Sequence, residues 1–479
     1  MNEHDDSQDS NDNRDFEELQ RILRDMLSGD PSATPEGFDP AQVAAAAGLP
    51  GDPAALQRLF ATLQGAMQQQ GDGIDWSITR KTAIDVASSE GADAPRGDRA
   101  VADRAFPVAA LWLDEVTDVG TTPDAPRTLS RIDWVQQSVD TWVGFAQPVA
   151  DSITTALMDA LTQQMPEELS GALQNAGPML KNVGGTLFAV QLGTIIGKLS
   201  GEVLSGGDVG VPLLSGPGHE GGALLPSSVE TFAAGLDQDL DAVTLYLAVR
   251  ELAHARLFRH TKWLRLHLTS AIAEFARGIH IETDRIEEMA RDLDPQRPED
   301  IQELLSNGAL IPPKSPAQEA AHERIETMLA LIEGWVDVVT ADAVSRLPGA
   351  EGIAEMVRRR RATGGPAEQA FSTLIGLELR PRRMREGAAL WRLVGEVGGR
   401  ETRDGLWAHP DLLPSAEEIS HPARLLERLG LAGESADTAE ADDFDRELAK
   451  LLDGERGDGR DGVGDGPDDA SDGPGPKVN

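Results

Sequence analysis

In the stretch LYLAVRELAHARLF, residues 245–258, a glutamate precedes a histidine by three positions, Glu251 and His254. On a helix, residues four apart share a face. The pattern H-E-x-x-H therefore points two imidazoles at one zinc ion, while its glutamate activates a zinc-bound water. Here the first position of that pattern is Arg250. A guanidinium has no free lone pair and keeps its proton, so it cannot ligate zinc, and its charge opposes a dication. The stretch offers Glu251 as a general base and His254 as one ligand, with a ligand missing.

A zinc site of this kind draws its third ligand from a glutamate on a later helix, and an acidic residue one turn further on orients a ligand histidine. LALIEGWVDVV supplies Glu333 and Asp337 at that spacing. At ~100° per residue, Ile325, Leu329, Ile332, Val336 and Val339 form one apolar stripe, with Glu333 at its edge and Asp337 further round. Gly334 beside them leaves room for close approach. A second set, His322, Glu326 and Glu333, projects within ~40° on the same wheel and would suit a carboxylate-rich metal site. A metal-free arrangement is coherent too. Arg250 would pair with a carboxylate on the Glu251 or the Glu333 side, and His254 would be a partly buried, hydrogen-bonded histidine.

The run from RELAHARLF through KWLRLHL, then ALIEGWVDVVT, GGPAEQAFSTLIGLELRPRR and LWAHPDLLP, resembles the actinobacterial zincin-like metallopeptidase type 2 family, whose members are also described as hydrolases. The likeness spans roughly residues 100 to 430, with several separate stretches agreeing in order. It implies a mainly α, zincin-like helical array. It also implies hydrolysis of a peptide or amide bond by zinc-activated water, with Zn2+ as the cofactor. Carried over by position, Glu251 would be the general base, His254 and Glu333 zinc ligands, and Asp337 the carboxylate that orients a ligand. Some members of the wider family carry a full H-E-x-x-H, from which this chain departs at Arg250. Two functions stay open: a metallohydrolase acting on a peptide or protein, and a scaffold that uses Arg250 as a structural cation and binds another protein or a small ligand.

The elements that must hold these residues read as helices. Of 479 residues, 40% are hydrophobic but only 4% aromatic, which suits an Ala/Leu-built helical interior better than a sheet. A helical domain is expected over 100–432, and residues 227–430 carry the most regular helical text, with prolines such as Pro316, Pro366 and Pro381 at its junctions, where a residue lacking an N–H can begin a helix. Residues 1–15 and the Gly-rich, acidic 433–479 are expected to be disordered, the latter interrupted by a short helix at FDRELAKLL. Between them, 16–99 is expected to hold short helices and linkers, including helices at 16–27 and 41–70.

Other classes find little support. A formal net charge of −38 repels nucleic acid and anionic membrane at long range. The absence of cysteine excludes disulfides, thiolate zinc ligands and a Cys nucleophile. The first residues lack the basic and apolar segments of a signal peptide, and no stretch is apolar enough to span a bilayer, so a cytoplasmic protein is expected. Glycines recurring through 183–222 predict close helix packing followed by a loop; a phosphate cradle would need a preceding strand and a GK[ST] ending. The basic run Arg358–Arg361 and the later Arg380, Arg382, Arg383 and Arg385 are expected to be solvated or paired with the chain's own acids. Trp263 and Trp335 are expected in the core.

Overall fold

A computed structural model of the chain describes residues 74–90, 97–164, 170–236, 238–278, 314–379 and 381–432. The acidic ends expected at 1–15 and 433–479, the helices expected at 16–27 and 41–70, and the one at FDRELAKLL lie outside these residues.

The first part of the body comprises α1 (Ser77–Glu90), α2 (Arg99–Val116), α3 (Arg131–Gln164) and α4 (Ser170–Glu202). Helix α1 lies against α4 and α3. Glycine makes this contact close. A Cβ added to Gly193 would sit 2.6 Å from the carbonyl oxygen of Thr79, and one on Gly197 2.6 Å from Cβ of Val86, so backbone meets helix with no side chain between. The expected close packing is thus present, and Gly206, Gly207, Gly210, Gly216 and Gly218 lie in loop, as the sequence suggests, whereas Gly221 ends a short 3-10 helix, His219–Gly221.

The second part carries α5 (Pro226–Ala234), α6 (Leu240–His260), α7 (Lys262–Arg277), α8 (Pro316–Ala343), α9 (Ala350–Thr363), α10 (Pro366–Ile375), α11 (Met384–Gly405) and α12 (Ala416–Ser420). Their starts follow from side-chain chemistry. Asp239 accepts from the Ala242 N–H at 3.2 Å to cap α6. Ser315 and Gln318 form a reciprocal capping box at the head of α8, with Pro316 in the first turn, where no N–H is needed. Pro366 begins α10 in the same way. The strands among the described residues are two residues each, β1 (Arg127–Thr128) and β2 (Ala223–Leu224), paired in parallel. The fold is mainly α, as expected.

Helix α6 packs on α2 and α8, and α8 packs in turn on α7 and α11. The α8–α11 crossing is made backbone to backbone, because a Cβ on Gly334 would lie 2.5 Å from the carbonyl carbon of Gly387. The room expected beside Gly334 is taken by α11. Behind it, Trp335, Trp391 and Trp407 are fully buried, the last two stacked at 5.4 Å. Trp263 is half-buried and donates from Nε1 to the Trp407 carbonyl at 3.3 Å. Asp404 ties the helices together, accepting from Trp335 Nε1 at 2.9 Å and from the Thr117 hydroxyl at 2.6 Å. A separate unit starts at His421, and its described helix is α13 (Pro422–Arg428), which opens on a proline and ends on a basic last turn. No helix among the described residues is long and apolar enough to cross a membrane.

Candidate functional site

Helix α8 is buried on every side between Met328 and Thr340, so Glu333 does not stand at the rim of an apolar stripe, as the helical wheel predicts. The reason is that α6, α7 and α11 all pack on α8, while Arg250, His254, Arg361 and Gly210 close over the carboxylate. Glu333 is 0% exposed, His254 2% and Arg250 4%. His254 is therefore fully rather than partly buried. An ionised carboxylate taken this far from water must be paired and hydrogen-bonded.

Its partners come from two other helices. The Arg250 guanidinium on α6 donates through Nη2 to Glu333 Oε2. His254 Nε2 lies 3.2 Å from Glu333 Oε1, and its Nδ1 faces the Arg250 carbonyl one turn back, also at 3.2 Å. Arg361 on α9 stands 3.7 Å from Glu333 Oε1 and donates to the Val209 carbonyl at 3.0 Å. Burial alone would push the Glu333 carboxyl up, but Arg250, then Arg361 and His254, hold it well below the usual carboxylate range. Burial likewise works against the charge on Arg250, and Glu333 more than restores it. Two of the expected site helices thus meet as the sequence suggests, through an ion pair.

Glu251 is held by backbone amides. Its Oε1 accepts from the Ala223 N–H at 2.8 Å and its Oε2 from the Gly207 N–H at 2.9 Å. Burial raises its carboxyl above the ordinary value, only partly offset by those two amides, His254 and the Ser205 side chain. The Gly207 amide belongs to the glycine-containing segment that runs over the site, and the Ala223 amide to β2. Residues 203–214 are irregular yet buried almost throughout. Glycine is required at two points. At Gly210 φ is +81° and a Cβ would fall 2.6 Å from Glu333 Oε1. At Gly207 a Cβ would meet Glu251 Oε2 at 3.0 Å and His254 Cβ at 3.2 Å.

Asp337 pairs with Arg358 Nε at 3.2 Å, and neither ring nitrogen of His254 bonds to it. Asp208 pairs with Arg360 at 2.8 Å and accepts from the Leu204 N–H at 2.8 Å. Burial opposes its charge, but Arg360 and Arg361 leave its carboxyl below the ordinary value. The basic run accordingly pairs with the chain's own acids, Arg359 with Glu355 at 2.7 Å and Arg383 with Glu386 at 2.6 Å among them. The alternative set does not assemble. His322 Nδ1 approaches Glu326 at 3.6 Å, whereas Glu333 is spent on Arg250 and His254. A wheel projects out the rise along the axis, and eleven residues of helix put His322 and Glu333 about 16 Å apart.

Four residues at this centre escape a sequence reading: Arg361, Asp208, Gly210 and Tyr246. The chain holds a single tyrosine, and it lies one turn before Arg250. It is 1% exposed, and burial pushes its hydroxyl up to about 12 against the field of Arg250. Its solitary occurrence, in the same helix as the candidate motif, is the signal that could have marked it.

A zinc ion does not fit these residues. Only His254 and Glu333 converge, and the place a third ligand would occupy is filled by a guanidinium bonded to that same carboxylate. Arg361 adds a second positive charge against it. Among the described residues no three His, Cys, Asp or Glu side chains could together hold a metal.

A protein from Chloroflexus aurantiacus, whose crystal structure is described as that of "a putative hydrolase with a novel fold", matches with a TM-score of 0.51 and 20% identity, over 75% of this chain and 100% of that one. That is a likeness of fold. No curated protein matches the chain. A family model described as zincin-like metallopeptidase matches residues 74–426, beginning at the turn that leads into α1 and taking in α6, α8 and α9 with their charged centre. By that match over most of its length, the chain belongs to the zincin-like metallopeptidase family.

Proposed function

We propose that this member of the family works without a metal, as a cytoplasmic helical scaffold that binds a peptide or protein partner, a guanidinium having taken over from a dication at its centre. The observation that carries this reading is the buried bond from Arg250 to Glu333. It satisfies a carboxylate that a metal would otherwise neutralise, and it fixes α6 to α8 with the planar, permanently charged group best suited to that task. Glu251 supports the reading too, because the backbone amides of Gly207 and Ala223 occupy its oxygens. The net charge of −38 favours a partner with a basic surface.

A second reading, hydrolysis of a peptide or amide bond with zinc, draws on the family's name and on the 3.2 Å approach of His254 to Glu333. In that reading Glu251 is the general base, His254 and Glu333 are ligands, and Asp337 is an outer partner. Metal analysis separates the two. The full chain equilibrated with zinc and desalted is expected to retain far less than one metal per chain, and Arg250→His to retain more. Stoichiometric zinc in the unaltered protein, lost in His254→Ala, would sink the scaffold reading, and turnover of a quenched peptide library by that zinc-loaded protein would establish the second.

A further inference from the structure

We propose that residues 203–214 form a plug, fastened over the charged centre by Glu251, that can withdraw as a unit and so control access to Arg250, His254 and Glu333. This goes beyond the scaffold reading, since it concerns access to the centre whether or not a metal is ever bound there.

The plug is neither helix nor strand, and yet it is buried. Buried irregular backbone must find partners for its polar groups. Here side chains supply many of them. Glu251 takes the Gly207 amide inside the plug and the Ala223 amide of β2. Arg361 takes the Val209 carbonyl, Thr141 on α3 the Leu213 carbonyl at 2.8 Å, and Arg360 the Asp208 carboxylate. Backbone pairing with the rest of the chain lies toward one end, where Val203 donates to the Leu199 carbonyl, Gly206 to that of Ala223 and Leu225 to that of Leu204, while a turn from Gly210 to the Gly207 carbonyl closes within the segment. A segment held this way can leave without unwinding any helix.

Hinges stand where such a movement needs them. Gly210, Gly216, Gly218 and Gly222 all have positive φ, and the last three follow the plug directly. Gly210 lies against Glu333 and Gly207 against Glu251 and His254. The plug therefore covers His254 and Glu333, and with Arg250, Glu251, His254 and Glu333 each under 5% exposed, nothing reaches them while it is seated.

The chain has no cysteine, so one introduced thiol reports on one place. Val211→Cys puts it in the plug and Ala109→Cys on α2, both at positions that are 0% exposed. Each full-length variant is treated with a small aromatic disulfide under native conditions, and its labelling is compared with its own rate of global unfolding. The expected result is labelling of Val211→Cys about tenfold or more above that rate, while Ala109→Cys follows it. Glu251→Gln should accelerate the first and leave the second unchanged. Labelling of both only through global unfolding overturns the proposal, as does an equal effect of Glu251→Gln on both. If Glu251→Gln does not fold, amide exchange in the unaltered chain decides. Gly207 and Ala223 should exchange ahead of the α6 interior, and exchange in step with it refutes the plug. None of these readouts depends on metal content or turnover, so the plug can fail while the scaffold reading stands, and the reverse.

Discussion

Arg250 on α6 and Glu333 on α8, eighty-three residues apart in the chain, share a hydrogen bond in which both side chains are at most 5% exposed. Removing one partner of such a pair costs more than the pair is worth, because the survivor keeps its burial and loses its counter-charge. Arg250→Met is expected to destabilise the protein by about 3–5 kcal/mol in urea unfolding. Arg250→Lys should recover only part of this, since an ammonium does not reproduce the planar fork. A loss below about 1 kcal/mol would show that Arg361 and His254 carry Glu333 unaided.

The two glutamates give opposite pH dependences. The Glu333 carboxyl lies below its ordinary 4.5, so its contribution to stability is present above that pH and is lost as pH falls toward its native value. Glu251 lies above 4.5, so its contribution is full below that pH and is lost as pH rises through its native value. Unfolding midpoints measured from about pH 3 to 8 should show a shallower acid limb in Glu333→Gln and no decline above 4.5 in Glu251→Gln. If neither variant changes the slope, the charge states assigned here are wrong.

Glycine substitutions separate conformational strain from steric blockage. Gly216 has φ of +88° with open space around it, so Gly216→Ala meets only the cost of the left-handed backbone, about 1–2 kcal/mol. Gly210→Ala meets that cost and a Cβ driven to 2.6 Å from Glu333 Oε1. It should be the more damaging of the two by at least about 1 kcal/mol in thermal or urea unfolding. Equal losses would mean that the Gly210 turn yields freely.

Gly334→Ala tests the helix crossing. Its Cβ would meet the α11 backbone at Gly387, which cannot step aside as a side-chain tip can. A loss of about 2 kcal/mol or more is expected, although alanine is the better helix former at an exposed site. A neutral or stabilising result would remove the argument for a tight α8–α11 contact.

Much of this site was legible in the letters, and the reasons for the remainder are geometric. The E-x-x-H spacing and the later LALIEGWVDVV brought Arg250, His254 and Glu333 into one account because residues four apart on a helix share a face, and the ion pair was one of two outcomes foreseen for them. Glu251 shares that helix, but which way its carboxylate turns depends on amides of Gly207 and Ala223, which no periodicity connects to it. Arg361 was visible only as part of a basic run, and Asp208 only as a letter in a loop. The wheel failed twice. It placed Glu333 at an edge because it could not know which elements pack around α8, and it aligned His322 with Glu333 because it discards axial rise. Helix content was the easier matter, since Ala/Leu-rich text with prolines at its junctions specifies helices locally, without reference to what lies across from them.

The bare contact of Gly334 with Gly387 leaves α8 no slack against α11. Trp335 follows Gly334 directly, and the stacked Trp391 and Trp407 lie on the α11 side. A shift of Glu333 along its helix axis is thereby geared to three indole rings, and the molecule carries its own fluorescent strain gauge for whatever happens at that carboxylate.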